Sequence, residues 1–144
     1  MKWRIILDPG SDEVTVTISA PVRTEEVEAL AALLAREEDL PGWRGEEMTP
    51  LAPREILCFY TADKGVFAWT AAGEYRVRLR LYELEERLDR RRFVRISHSE
   101  IVNLKKVTAL DLSLGGTIRL TLEGGRVCWV SRRYVKKIKE ALGL

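Results

Sequence analysis

The chain has one histidine and two cysteines among 144 residues. It also has no apolar run approaching the roughly 18 residues of a membrane helix. A single imidazole leaves little for acid–base chemistry, and neither a GxSxG segment nor a phosphate loop is present. Catalysis therefore has no constellation to rest on, and we expect no enzyme, no metal, no cofactor and no small-molecule substrate. Cys58 and Cys128 sit in the strand-like runs ILCFY and VCWV. Far apart in the chain and with one histidine to help them, they make a poor metal site and read as small buried hydrophobes. The pairs Gly115-Gly116 and Gly124-Gly125 fall between strand runs with no helix after them, which makes them hairpin turns and not phosphate cradles. The start MKWRIILDPGSDE is interrupted by charge too early for a secretory signal, so a cytoplasmic location is expected. No repeat of 20–50 residues and no low-complexity tract occurs.

What is present suits a globular domain, or a domain with a small appendage. The chain is 46% apolar and 32% charged, ordinary values for a soluble protein with a proper core. The net charge of +2 hides a division. Residues 1–55 hold 6 Lys/Arg against 12 Asp/Glu, whereas residues 56–144 hold 18 against 10. An acidic front and a basic back can be a mere distribution of solvated faces, or the mark of a polyanion-binding second part.

Periodicity gives the organisation. WRIIL and the alternating EVTVTIS read as strands around the turn DPGSD. TEEVEALAALLAREE then reads as a helix, with Thr24 as N-cap and acids in the first turn, ending near LPGW. After this β-β-α beginning the texture is β-dominated. EILCFYTA, VFAWTA, EYRVRLRL, KVTALDLSL, TIRLTLE and RVCWVS are separated by DKG, AAGE, GG and EGG turns. Two helical pieces interrupt: LYELEERLDR, with Leu81, Leu84 and Leu88 on one face, and SRRYVKKIKEALG, with Val135, Ile138 and Leu142 inward. The fold class expected is mainly β, α+β as a whole.

The stretch FVRISHSEIVNLKKV sets small donors and the only histidine beside core material such as Ile101 and Val102. A second oddity is near the C-terminus. Ser131 in the capping position puts Arg132 and Arg133 in the first turn of the last helix, where the macrodipole disfavours cations. Two arginines there make sense if a phosphate or a base edge supplies the negative partner; simple hydration is the alternative. Lys136, Lys137 and Lys139 continue the positive face.

FVRISHSEIVNLKKV followed some 25 residues later by CWVSRRYVKKIKEAL resembles the LytTR family of bacterial DNA-binding domains. Several separated motifs stand in the right order, and the resemblance covers Glu46 to Leu144. It implies an elongated β-strand DNA-binding domain over 46–144 with a short C-terminal helix, preceded by the β-β-α segment at 1–45. Such domains set loops, not a recognition helix, into successive major grooves. By position, the resemblance makes His98 and Arg133 base-contacting residues, with Lys64 in the TADKGVF turn as a third. Arg95, Ser97, Ser99, Asn103, Lys105, Lys106, Arg132, Lys136 and Lys137 become candidates for the DNA backbone, although an Asn ending a strand more often serves its own turn.

Histidine at position 98 departs from the arginine or lysine common in relatives, which makes affinity depend on pH. Forty-five residues cannot hold a receiver domain, so control by aspartyl phosphorylation within this chain is not expected. The short first segment resembles that of stand-alone regulators of the family, some paired with a small membrane protein that modulates them. Its role is either dimerisation or partner binding, or the covering of an open sheet edge. The function implied is a sequence-specific duplex-DNA-binding transcription regulator acting at direct repeats in a promoter. The alternatives are an RNA-binding module, with Phe67, Trp69 and Tyr75 as stacking aromatics, and a non-catalytic interaction or sensor domain.

Overall fold

A computed structural model describes residues 1–34 and 38–144. The chain divides into two compact units, Met1–Arg36 and Glu37–Leu144. In the first, helix α1 (Glu25–Leu34) starts as expected, the Thr24 hydroxyl accepting from the backbone N–H of Val27 at 3.3 Å. The helix was expected to continue through residues 35–37, which lie outside the described residues. The two expected strands are not formed: no strand precedes α1 among the described residues. The physical reason is visible in the exposure of their apolar side chains, 80% for Trp3, 77% for Ile5 and 95% for Val14. A lone two-stranded ribbon with nothing to cover its face is marginal in water.

The described residues of the second unit form ten strands. They are β1 (Leu40–Arg44), β2 (Glu47–Leu51), β3 (Ile56–Ala62), β4 (Gly65–Thr70), β5 (Gly73–Val77), β6 (Phe93–Ser97), β7 (Glu100–Asn103), β8 (Val107–Asp111), β9 (Ile118–Leu122) and β10 (Val127–Val130). Helix α2 (Leu81–Arg87) lies between β5 and β6, and α3 (Val135–Ala141) follows a 3₁₀ turn over Arg132–Tyr134. Strands β1 to β7 form one antiparallel sheet in the order β2-β1-β5-β4-β3-β7-β6, and β10-β9-β8 form another. Strands β1 and β2 went unread because LPGWR and EMTPL carry proline and glycine, which break strand patterns. Pro41 and Pro50 face each other in this hairpin. The boundary expected between residues 45 and 46 falls inside it.

Period-two alternation sorts side chains onto two cores. Phe59 and Ile101, paired across β3 and β7, join Leu81, Leu84 and Leu88 of α2 in the first. Their strand neighbours Cys58 and Val102 join Leu120, Val130 and Ile138 in the second, which unites the two sheets and α3. Both cysteines are fully buried there and unoxidised, as small hydrophobes would be. The hydrogen bond that the Cys128 thiol donates to Cys58, followed by burial, pushes the Cys128 thiol up and keeps it protonated.

Candidate nucleic-acid interface

Three turns lie at one end of this unit, and the strand directions put them there. Strands β3 and β4 are joined by Asp63 and Lys64 alone, since Ala62 pairs with Gly65. Both linking residues have positive φ, 44° and 61°. The left-handed region costs a side-chain-bearing residue about 1 kcal/mol or more, so a lysine at this tip is held against backbone preference. The second turn joins β6 to β7 through His98 and Ser99, with Ser97 opposite Glu100. It is tied to the first by the Thr61 N–H, which donates to the Ser99 carbonyl at 3.0 Å. The third is the junction of β10 with the last helix, where the Ser131 N–H donates to the Ile96 carbonyl at 2.8 Å.

Lys64, His98 and Arg133 are all exposed. None has an ion-pair partner among the described residues. Lys64 and His98 line one open concavity of about 530 Å³. Arg80 and Tyr82 line it too, and sequence reasoning missed both. EYRVRLRL was expected to run on as a strand, whereas β5 ends at Val77 and α2 begins at Leu81. A signal was available in the cation at position 80, immediately before a helix, where Ser, Thr, Asp or Asn is preferred. Arg132 lies against the β8–β9 turn, its Nε 3.5 Å from where a Cβ on Gly116 would stand. Lys136 and Lys137 are exposed on α3, while Ile138 is buried beneath them.

Other expected contacts change role. Asn103 is completely buried. Its Nδ2 donates to the Ile56 carbonyl at 2.8 Å and its Oδ1 accepts from the Lys105 N–H at 3.0 Å, so it joins β7 to β3 and cannot meet a phosphate. Arg95 is also spent internally: its side chain is 12% exposed and ion-paired with Glu85 of α2. Lys105 and Lys106 follow the far end of β7, about 13 Å or more from Ser99 at the strand's rise per residue. Lys106 pairs there with Glu123 at 3.2 Å. Ser97 and Ser99 are half-buried beside His98, the Ser97 hydroxyl accepting from the Ser99 N–H at 3.2 Å. Ser131 was expected to cap the last helix, but it precedes the 3₁₀ turn over Arg132–Tyr134, its hydroxyl makes no capping bond, and α3 itself starts only at Val135 after Tyr134.

The aromatics invoked for base stacking do not form an open platform. Tyr75 is 9% exposed and belongs to the first core. Phe67 and Trp69 are half-buried, and the Arg126 guanidinium lies over the Trp69 ring at 5.1 Å.

The family model for the LytTr DNA-binding domain matches residues 46–143. The chain belongs to the LytTr DNA-binding domain family. Among solved structures, the LytTr DNA-binding domain of a methyl-accepting/DNA response regulator from Bacillus cereus superposes with a TM-score of 0.72 at 20% identity, over 75% of this chain and 99% of that one. At that identity the likeness is one of fold. Uncharacterized HTH-type transcriptional regulators of Staphylococcus aureus strains NCTC 8325 / PS 47 and COL are each 33% identical over 100% of this chain and 99% of their own length. The similarity to them thus includes the first unit. The helix-turn-helix in their names is not what this fold displays, since among its described residues α2 and α3 are separated by five strands and form no helix-turn-helix pair.

Proposed function

We propose that this LytTr protein is a transcription regulator that binds duplex DNA sequence-specifically through the three-turn end of its β unit. The observation that carries the proposal is the gathering of Lys64, His98 and Arg133 on turns linked by the Thr61–Ser99 and Ser131–Ile96 hydrogen bonds. In this reading the three side chains meet base edges in successive major grooves. Arg132, Lys136, Lys137, Arg80 and the Ser97–Ser99 backbone meet phosphates. Neutralising six phosphates would give a slope of log K against log salt of roughly −5. No step in this function is catalytic, and the compartment is the cytoplasm. No helix among the described residues is long and apolar enough to cross a membrane.

The first unit is assigned to self-association or to a small membrane-protein modulator. Supporting this are the apolar side chains of Trp3, Ile5, Ile6, Leu7, Val14 and Val16, all of them exposed. Two copies would supply what a lone ribbon lacks and would suit direct repeats in a promoter.

Footprinting upstream of the protein's own gene, with competition by single-stranded RNA, tests the DNA reading. A protected duplex repeat that RNA fails to displace is the expected result; protection lost to RNA refutes it. Light scattering on the intact chain and on a Trp3→Ser, Ile5→Ser variant tests self-association, with a dimer expected for the first and a monomer for the second.

A further inference from the structure

His98 sits on a turn of two residues, and such a turn presents a side chain reliably only if its backbone is held. The holding is done from beneath. On β6, Val94 and Ile96 enter the second core, so alternation sends the intervening Arg95 to the opposite face, where α2 lies. There each guanidinium nitrogen has its own acceptor. Nε donates to the Ser97 carbonyl at 2.8 Å, Nη2 donates to the His98 carbonyl at 2.5 Å, and Nη1 pairs with the carboxylate of Glu85. A planar fork of fixed geometry suits this task, and lysine could not reproduce it. Glu85 is itself placed by α2, whose Leu81 and Leu84 are anchored in the first core together with Leu88 just beyond its end. The register shift between Arg95 and Ser97 lets the strand turn its carbonyls toward the fork.

We propose that Arg95 and Glu85 are positioning residues for DNA recognition. Together they brace the Ser97–His98–Ser99 turn so that the His98 ring is oriented before DNA arrives, and Arg95 makes no phosphate contact. The inference rests on the reading that His98 faces duplex DNA. It carries a consequence that charge alone would reverse. Removing the acid Glu85 makes the protein more positive, which by counterion release should strengthen binding to any duplex. Loss of the brace should instead weaken binding to the preferred sequence, because the ordering of the turn must then occur on binding.

The test uses the full chain, a duplex selected in vitro by the wild-type protein, and a scrambled duplex of equal length. Affinities are measured over a range of salt concentrations. Glu85→Gln, Arg95→Ala and Arg95→Lys are each expected to bind the selected duplex about 10-fold more weakly, a loss of the size attributed to unmade recognition contacts. The salt slope should stay at the wild-type value, and binding of the scrambled duplex should not fall.

Hydrogen exchange of the His98 and Ser99 amides in the free protein should accelerate in all three variants while the core strands stay protected. The Glu85→Gln arm alters only a partly exposed helix side chain, so it still decides the matter if an Arg95 variant fails to fold. The proposal is overturned if Glu85→Gln binds the selected duplex as tightly as wild type or more so. It is equally overturned if Arg95→Lys restores affinity, or if Arg95→Ala lowers the slope by about one, the signature of a lost phosphate contact. His98→Ala separates the two readings. Should it leave sequence preference intact while exchange still depends on Glu85, the turn is braced but does not read DNA, and it is the parent reading that has failed.

Discussion

The two ends of the β unit both carry lysines, yet they differ in what surrounds them. At one end Lys64, His98, Arg132 and Arg133 stand exposed on turns and at a helix start. At the other, Lys106 is 25% exposed and paired with Glu123, and the Asn103 amide behind it is sealed into the sheet. Positive charge is common to both, so charge does not tell them apart. The difference lies in whether an element's polar groups are used up by the fold. At the far end Asn103 joins β7 to β3 and Lys106 is paired, leaving Lys105 exposed, whereas at the turn end Lys64, His98 and Arg133 are exposed and without an ion-pair partner among the described residues.

That contrast can be broken most forcefully at Asn103. Asn103→Ala strands the Ile56 carbonyl and the Lys105 N–H at once, and should lower unfolding free energy by about 3 kcal/mol in a denaturant titration. The surviving folded fraction should keep its sequence preference. Next in size is the recognition end: Arg133→Ala and His98→Ala should each forfeit about 1–3 kcal/mol of discrimination between selected and scrambled duplexes, read as a ratio of dissociation constants.

Lys64→Gly sharpens the comparison further. Relieving the left-handed backbone should raise stability by about 0.5–1 kcal/mol, while duplex affinity drops several-fold. If stability and affinity rise together, Lys64 has no part in binding. Smallest is the far end, where Lys105→Ala and Lys106→Ala should each change affinity by less than about 0.5 kcal/mol and leave the salt slope unaltered.

The legibility of this protein followed the range of the interactions. Strands β3 to β5 and β8 to β10 could be read because alternation and turn residues are local, and α2 because Leu81, Leu84 and Leu88 repeat at helical spacing. Strands β1 and β2 could not, since Pro41, Gly42 and Pro50 oppose a strand everywhere except where partners already exist. The N-terminal ribbon erred in the other direction. Trp3, Ile5, Val14 and Val16 alternate properly, but alternation specifies a face and not the surface that covers it.

Among the proposed site residues, His98 and Arg133 were nominated through spaced motifs. Arg80 and Tyr82 escaped because a concavity is made by residues distant in sequence. The internal bonding of Arg95 was not legible, because an arginine beside small polar residues looks the same whether its fork grips phosphate or its own turn.

By itself the amino-acid order determined the β-rich class, the helix faces, the family and the three segments that could meet DNA, because each depends on neighbours a few residues away. Tertiary structure alone decided which end of the sheets those segments share, and which polar side chains were consumed in bringing them there. Hydrogen bonds such as Arg95 to the His98 carbonyl and Asn103 to that of Ile56 depend on strand register and helix docking. Those exist only once the cores have formed.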